Sequence, residues 1–227
     1  PFFTSYVRSL LFDENNPYGC SYADLFKGGL TIYTSLDPEL QDAAQAAVDN
    51  QRANMADNLD ASIVAIDVAT GQVKAMTRGV PYGQGEGESQ VNIATGDGGT
   101  GRQAGSTFKA FTIAAALEKG ISAYRRYNSP QSMWFDDKWF PMCNGNFARG
   151  TWGHPVTTGP SGSFNMYDGA RVSSNTFFLQ LERSAGVCET VTMAQKLGLK
   201  RADGADMLTG LRADGKLPNG RTPDAQN

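Results

Sequence analysis

The sequence predicts an α+β fold, an antiparallel sheet with a separate helical subdomain. Two observations carry this expectation. Ser62-Ile63-Val64-Ala65-Ile66-Asp67-Val68 is a nearly continuous apolar run, and Val73-Lys74-Ala75-Met76 returns after the turn residues Ala69-Thr70-Gly71-Gln72. Such a pair reads as a β-hairpin, with Gly71 free to take positive φ and the apolar first strand buried. Residues 106–117, Ser-Thr-Phe-Lys-Ala-Phe-Thr-Ile-Ala-Ala-Ala-Leu, are instead apolar almost all round. A helix of that composition belongs in a core of other helices. Strands early and helices late give a segregated α+β arrangement, with a cleft expected between sheet and helices.

The remaining elements follow in chain order. Phe2, Tyr6, Val7, Leu10 and Leu11 fall at helical spacing, and Asn15-Asn16-Pro17-Tyr18-Gly19 breaks the pattern. As a whole, residues 1–29 read as an irregular entry segment. Leu30-Thr31-Ile32-Tyr33-Thr34 alternates and is rich in β-formers, which predicts a strand. Asp37 is a helix N-cap and Pro38 suits a first turn. Leu40, Ala43, Ala44, Ala47 and Val48 then give an amphipathic helix to about Ala53. Residues 78–105 are Gly-rich and polar and read as a surface or cleft-covering loop. Residues 122–163 are mostly loop. Helices are expected over 166–172, 176–184 and 189–197, with Gly186 and Gly198 as stops. The tail from Asp203 is polar and reads as loop.

The 227 residues carry 20 basic and 23 acidic side chains, 40% hydrophobic and 19% charged residues. That is an ordinary globular composition. A net charge of -3 and the lack of any Lys/Arg run argue against nucleic acid as a partner. The longest strongly apolar stretch, 110–117, is far short of the about 20 residues that span a membrane. Pro1 at the start and the absence of a leader predict a piece of a longer polypeptide. With 3 Cys, none in a C-x-x-C pair, and 1 His, neither a structural zinc site nor any other cofactor is expected. The cysteine count allows one internal bridge, and the residues alone leave its partners open.

Ser106 and Lys109 are the candidate reactive pair. Residues i and i+3 lie on one face of a helix. A Ser hydroxyl needs a base to take its proton, and a Lys amine is a poor base at its reference pKa of about 10.4. An apolar setting disfavours the ammonium and lowers that value. Ser106 also follows Gly105 at the helix start, where an unpaired N–H can face a developing oxyanion. The S-x-x-K spacing alone carries little, because Ser is a common N-cap and Lys can reach out of a core. A single charge inside an apolar helix carries more, because it needs a compensating reason. His154 lies in a Gly/Pro-rich loop with no oriented Asp partner, which favours a surface role over a Ser-His triad. Trp134, Trp139 and Trp152 read as a loop packing cluster before a sugar-stacking platform.

Arg102-Gln103-Ala104-Gly105-Ser106-Thr107-Phe108-Lys109-Ala110-Phe111, preceded by Val91-Asn92-Ile93-Ala94-Thr95, resembles the first motif of penicillin-binding transpeptidases. The usual pattern has Pro where Ala104 and Ala110 stand, and the reactive pair is intact. The hairpin over 61–76, with Asp67 and Gly71, resembles the same family. Gly28-Gly29-Leu30-Thr31-Ile32-Tyr33-Thr34-Ser35-Leu36-Asp37 with Leu40-Gln41 resembles the linker of its bifunctional class A members. The second motif, S-x-N, has two matches, Ser163-Phe164-Asn165 and Ser173-Ser174-Asn175. The second resembles the family motif better, through Thr176-Phe177-Phe178 and its place between two helical stretches. The third motif, K-T-G or K-S-G, does not occur in the sequence.

The resemblance implies a serine β-lactamase/penicillin-binding transpeptidase-like fold, with residues 1–36 as linker and 37–227 as a transpeptidase domain incomplete at its C-terminus. It implies Ser106 as nucleophile, Lys109 as base, Ser173 as proton relay to the leaving amine and Asn175 as binder of the substrate amide. The activity implied is D,D-transpeptidation. The implied partners are peptidoglycan stem peptides, β-lactam antibiotics and a further C-terminal segment carrying K-T-G or K-S-G. The implied location is the extracytoplasmic side of a bacterial membrane, anchored by an N-terminal segment outside this chain. Oxidation is permitted there. A Cys143–Cys188 bridge is then expected, since both cysteines flank the Ser173 region, with Cys20 left over. The alternatives are a serine β-lactamase, for which no positioned Glu is evident after Ser122, and a non-catalytic β-lactam sensor or scaffold, which the absent third motif keeps open.

Overall fold

The computed structural model describes residues 1–13, 16, 18–56, 58–96, 103–145, 159–201, 204–211 and 213–216; His154 and Trp152 lie outside them. The chain divides into two compact units, Pro1–Arg102 and Gln103–Asn227.

The first unit holds α1 (Phe2–Phe12), α2 (Tyr22–Lys27), α3 (Pro38–Arg52), β1 (Ser62–Ile66) and β2 (Val73–Arg78). The spacing read in the entry segment is realised as α1, whose Phe2 and Phe3 are buried with Met76. Helix α2 interrupts the expected irregular stretch. Its cause is a capping box: Ser21 Oγ accepts from Asp24 N, and Asp24 Oδ2 accepts from Ser21 N. Asp37 Oδ1 caps α3 by accepting from Leu40 N at 3.0 Å, and Pro38 opens it as expected.

Two strand expectations need correction. Residues 28–37 form no strand, and Tyr33 is 93% exposed. Alternation makes a strand only where a partner supplies a ladder. Here the segment meets β2 only at its end, where Ser35 Oγ donates to Val73 O and Asp37 N donates to Lys74 O.

The hairpin forms as expected, β1 antiparallel to β2 with Val64 opposite Met76. The buried strand, however, is β2: Ala75, Met76 and Thr77 are buried, while Val64, Ile66 and Val68 are 37%, 57% and 98% exposed. Helices α1 and α3 both pack on β2, which leaves β1 outermost. Polar side chains of α3 also occupy the outer edge of β2. Gln41 donates from Nε2 to Met76 O at 3.2 Å and accepts from Met76 N at 2.9 Å. Gln45 donates to Arg78 O at 3.1 Å. The turn is held by Asp67, which accepts from Ala69 N and Thr70 Oγ1, and by Gly71 at φ +71. The Thr70 hydroxyl, then the Ala69 N–H, hold the Asp67 carboxyl below its ordinary range. Arg78 and Asp60 pin the base of the hairpin as an ion pair at 2.5 Å.

The second unit opens with a 3₁₀ turn (Gly105–Phe108) running into α4 (Lys109–Glu118). It continues through β3 (Tyr127–Ser129), a 3₁₀ turn (Asp137–Trp139), β4 (Gly162–Phe164), α5 (Met166–Arg171), α6 (Asn175–Ala185) and α7 (Val187–Lys196). The three late helices lie where their periodicity placed them. The β3–β4 pair was not expected, because three residues are too few to show alternation. Ala115, Ala116, Phe177, Phe178, Leu181, Ala185 and Met193 form the core where α4, α6 and α7 meet. The alanines of α4 admit the aromatic rings of α6. Lys109 lies beside Asn175 and Lys119 Nζ donates to Ala185 O, so α4 and α6 run in the same direction.

A second cluster joins Phe135, Phe140 and Leu179 with Trp139 against it, and the Arg183 guanidinium lies 4.0 Å over the Trp139 ring. Trp139 is thus a packing residue, while Trp134 stays half exposed at its edge. Beside this cluster Cys143 and Cys188 form the expected disulfide across 45 residues, and Cys20 is a free thiol. Both sheets are antiparallel, which agrees with the α+β expectation.

Candidate active site

Gly105 takes φ +55 to enter the 3₁₀ turn that carries Ser106, and a Cβ there would meet nothing within 4 Å. The backbone conformation, not space, asks for glycine. Ser106 is exposed on this turn, and Lys109 follows one turn later as the first residue of α4. Ser173 lies in the turn between α5 and α6 at φ 51, the sole non-glycine with positive φ among the described residues. Holding a serine there costs about 1–3 kcal/mol and needs support from its surroundings. That support is Ser174, fully buried, whose Oγ caps α6 by accepting from Phe177 N at 3.3 Å. Thr176 Oγ1 lies 3.3 Å from it and donates to Pro130 O at 2.7 Å. Asn175 is then the first residue of α6.

Lys109 Nζ joins these elements. It lies 2.7 Å from Ser173 O, 2.9 Å from Ser173 Oγ and 2.7 Å from Asn175 Oδ1. The two outer partners can only accept, whereas a hydroxyl can accept or donate. As an ammonium, Lys109 donates to all three. As a neutral amine it donates to the carbonyl and the carboxamide and accepts from the Ser173 hydroxyl. Either state leaves every group paired, so a proton can pass between Nζ and Ser173 Oγ without breaking the cradle. Partial burial holds the Lys109 amine below its ordinary pKa. Among the described residues no carboxylate lies within ion-pair distance of it.

The structure therefore brings together three of the four candidate residues, Lys109, Ser173 and Asn175. Ser106 is one turn away on the same helical run, and among the described residues no hydrogen bond joins its hydroxyl to Lys109. The competing tripeptide serves other ends. Asn165 caps α5 by accepting from Asp168 N at 2.9 Å, and Ser163 on β4 accepts from Arg126. Sequence reasoning passed over Phe178, whose ring lies 5.1 Å from Lys109 Nζ. Its spacing from Asn175, i to i+3, was the available signal.

Residues 61–210 match the family model of the penicillin-binding protein transpeptidase domain. The chain belongs to this family. Penicillin-binding protein 1A of Mycolicibacterium smegmatis is 37% identical over 93 residues, which cover 41% of this chain and 11% of that protein. The chain thus matches about a tenth of the length of this relative. The structure of penicillin-binding protein PonA1 from Mycobacterium tuberculosis superposes with a TM-score of 0.62 at 23% identity, over 97% of this chain and 51% of that one. The PonA1 complex with penicillin V gives 0.61 at 22% identity, over 97% and 52%. The fold is that of penicillin-binding transpeptidases.

Proposed function

We propose that this chain supplies the nucleophile and proton-relay side of a D,D-transpeptidase that cross-links peptidoglycan stem peptides. One observation carries the reading. A partly buried lysine amine, one helical turn after an exposed serine, is cradled by the hydroxyl and carboxamide of an S-x-N turn from a different helix. In the first half-reaction Ser106 Oγ attacks the carbonyl of a D-Ala-D-Ala bond as its proton moves to Lys109 Nζ. An acyl ester forms, the C–N bond breaks, and Ser173 Oγ passes a proton to the departing D-Ala amine and is replenished from Lys109. An amine on a neighbouring stem then attacks the ester, gives up its proton along the same route, and restores Ser106. Asn175 binds the substrate amide. β-Lactams acylate Ser106 in place of the donor.

The reading requires an opposing strand with K-T-G or K-S-G for the substrate carboxylate, and neither tripeptide occurs in these 227 residues. On this reading a segment outside the chain would carry it. The Cys143–Cys188 bridge supports a location on the oxidising, extracytoplasmic side. No helix of the described residues is long and apolar enough to cross a membrane.

The test is labelled penicillin applied to the full polypeptide that carries these residues, followed by peptide mapping. One adduct on the Ser106 peptide, absent in Ser106→Ala, is expected. No adduct, or labelling unchanged in Ser106→Ala, overturns the reading. Rapid release of the acyl group would instead mark a hydrolase.

A further inference from the structure

We propose that Phe178 is a positioning residue that holds the Lys109 amine in its cradle through its ring face, which attracts the ammonium form. The proposal deepens the reading of Lys109 as the base, and its consequence for acylation rests on that reading.

The geometry has three parts. Lys109 Nζ lies 5.1 Å from the Phe178 ring centroid, inside the range where a ring quadrupole attracts a cation. The three oxygen partners come from Ser173 and Asn175, so the ring adds to three oxygens that can all accept from the ammonium. Phe178 is itself fixed. It is buried, packs edge-on against Phe177 at 5.2 Å and 87°, and Phe177 packs edge-on against Tyr127 at 5.7 Å and 78°. The turn between Ser173 and Asn175 and the ring at i+3 are thus presented to Lys109 by one rigid helix.

On α6, Glu182 lies one turn beyond Phe178 on the same ridge, and burial raises its carboxyl. On α7, Glu189 and Lys196 pair with Lys119 and Glu118 at the far end of α4, about 15 Å along that helix from Lys109. Arg171 ends α5 two residues before Ser173 and is exposed. Burial and the ring therefore act in opposite directions on Lys109. Burial favours the neutral amine, and the ring restores part of the preference for the cation.

Lysine 13Cε NMR titration of the intact chain tests this, with the Lys109 signal assigned by Lys109→Arg. Phe178→Leu should lower the Lys109 midpoint by about half to one pH unit, which raises the neutral fraction about three- to ten-fold below the midpoint. Phe178→Tyr, which keeps the ring face, should leave the midpoint in place. Stepwise fluorination of Phe178 removes the quadrupole at nearly constant shape and should lower the midpoint in step, which covers the case where the leucine variant does not fold. A midpoint that stays put or rises on fluorination overturns the proposal. Penicillin acylation is a separate readout. If Ser106 is not acylated in the unmodified full polypeptide, the transpeptidase reading fails while the titration still decides the role of Phe178. If Ser106 is acylated and the midpoint does not move, only the role of Phe178 fails.

Discussion

Replacing both Cys143 and Cys188 with serine removes a covalent closure of 45 residues. The closed segment contains Ser173 and Asn175. The chain-entropy relation for a loop of that length gives about 4 kcal/mol of stabilisation, because the unfolded chain loses freedom that the folded chain does not have to give up. The folded neighbourhood has other ties, including the Phe135, Phe140 and Leu179 cluster and Arg183 over Trp139. The double variant should therefore fold, with the loss appearing in the equilibrium. All 3 tryptophans, at 134, 139 and 152, belong to the second unit, so their fluorescence reports on that unit alone. Urea unfolding followed by tryptophan emission should show the double variant about 4 kcal/mol less stable, with a larger m-value because its unfolded state opens further. A loss below about 1 kcal/mol with native far-UV dichroism would refute the argument. It would mean that the segment is already constrained in the unfolded chain.

Three further outcomes follow from geometry. Ser174→Ala removes the α6 cap and leaves Phe177 N unpaired, which should cost about 1–2 kcal/mol in the same urea assay; a neutral result would show that the turn at Ser173 does not depend on it. Burial raises the Glu182 carboxyl, so between the ordinary glutamate value and its folded value the folded chain holds a proton that the unfolded chain has released. Stability then falls as pH rises through that window, and Glu182→Gln should flatten the slope and be the more stable protein at neutral pH. A slope unchanged in Glu182→Gln would assign it to another group. Gln41→Ala frees both Met76 backbone groups on the outer edge of β2, and should speed Met76 amide exchange and cost about 1–3 kcal/mol. Unaltered exchange at Met76 would contradict the edge contact.

Local signals were legible where one segment determines its own shape. Asp37 and Pro38 announce α3, Gly186 separates α6 from α7, and Asp67 with Gly71 closes the hairpin. What was not legible depended on a distant partner. Leu30 to Thr34 has strand composition but finds no ladder. The apolar run of β1 reads as buried, yet α1 and α3 cover β2 instead. At the site, the lone charge of Lys109 in an apolar helix was visible from periodicity. Its meeting with Ser173 and Asn175, 64 and 66 residues away, could be anticipated only from resemblance to a family. Phe178 looked like any core aromatic: its i+3 spacing from Asn175 put it on the same helix face, but only the partner helix brings a cation over its ring. Ser21 and Asp24 did carry a local signal for α2, and it was masked by the polar, broken sequence around them.

The glutamine clamp on Met76 also gives the hairpin a polarity. The groups of Met76 that Gln41 engages point away from β1, so Val64, directly opposite, is a non-hydrogen-bonded partner and its own N–H and C=O point the other way. Lys74 and Arg78 are engaged on the same side as Met76, by Asp37 and Gln45. Growth of this sheet by hydrogen bonding is therefore closed along β2. Among the described residues it is open only along β1, where the exposed aliphatic side chains of Val64 and Ile66 lie beside the outward backbone groups and Val68 follows, exposed, in the turn. An unpaired edge of that kind templates any extended chain, and a helix that seals the opposite edge halves the number of ways such pairing can go wrong.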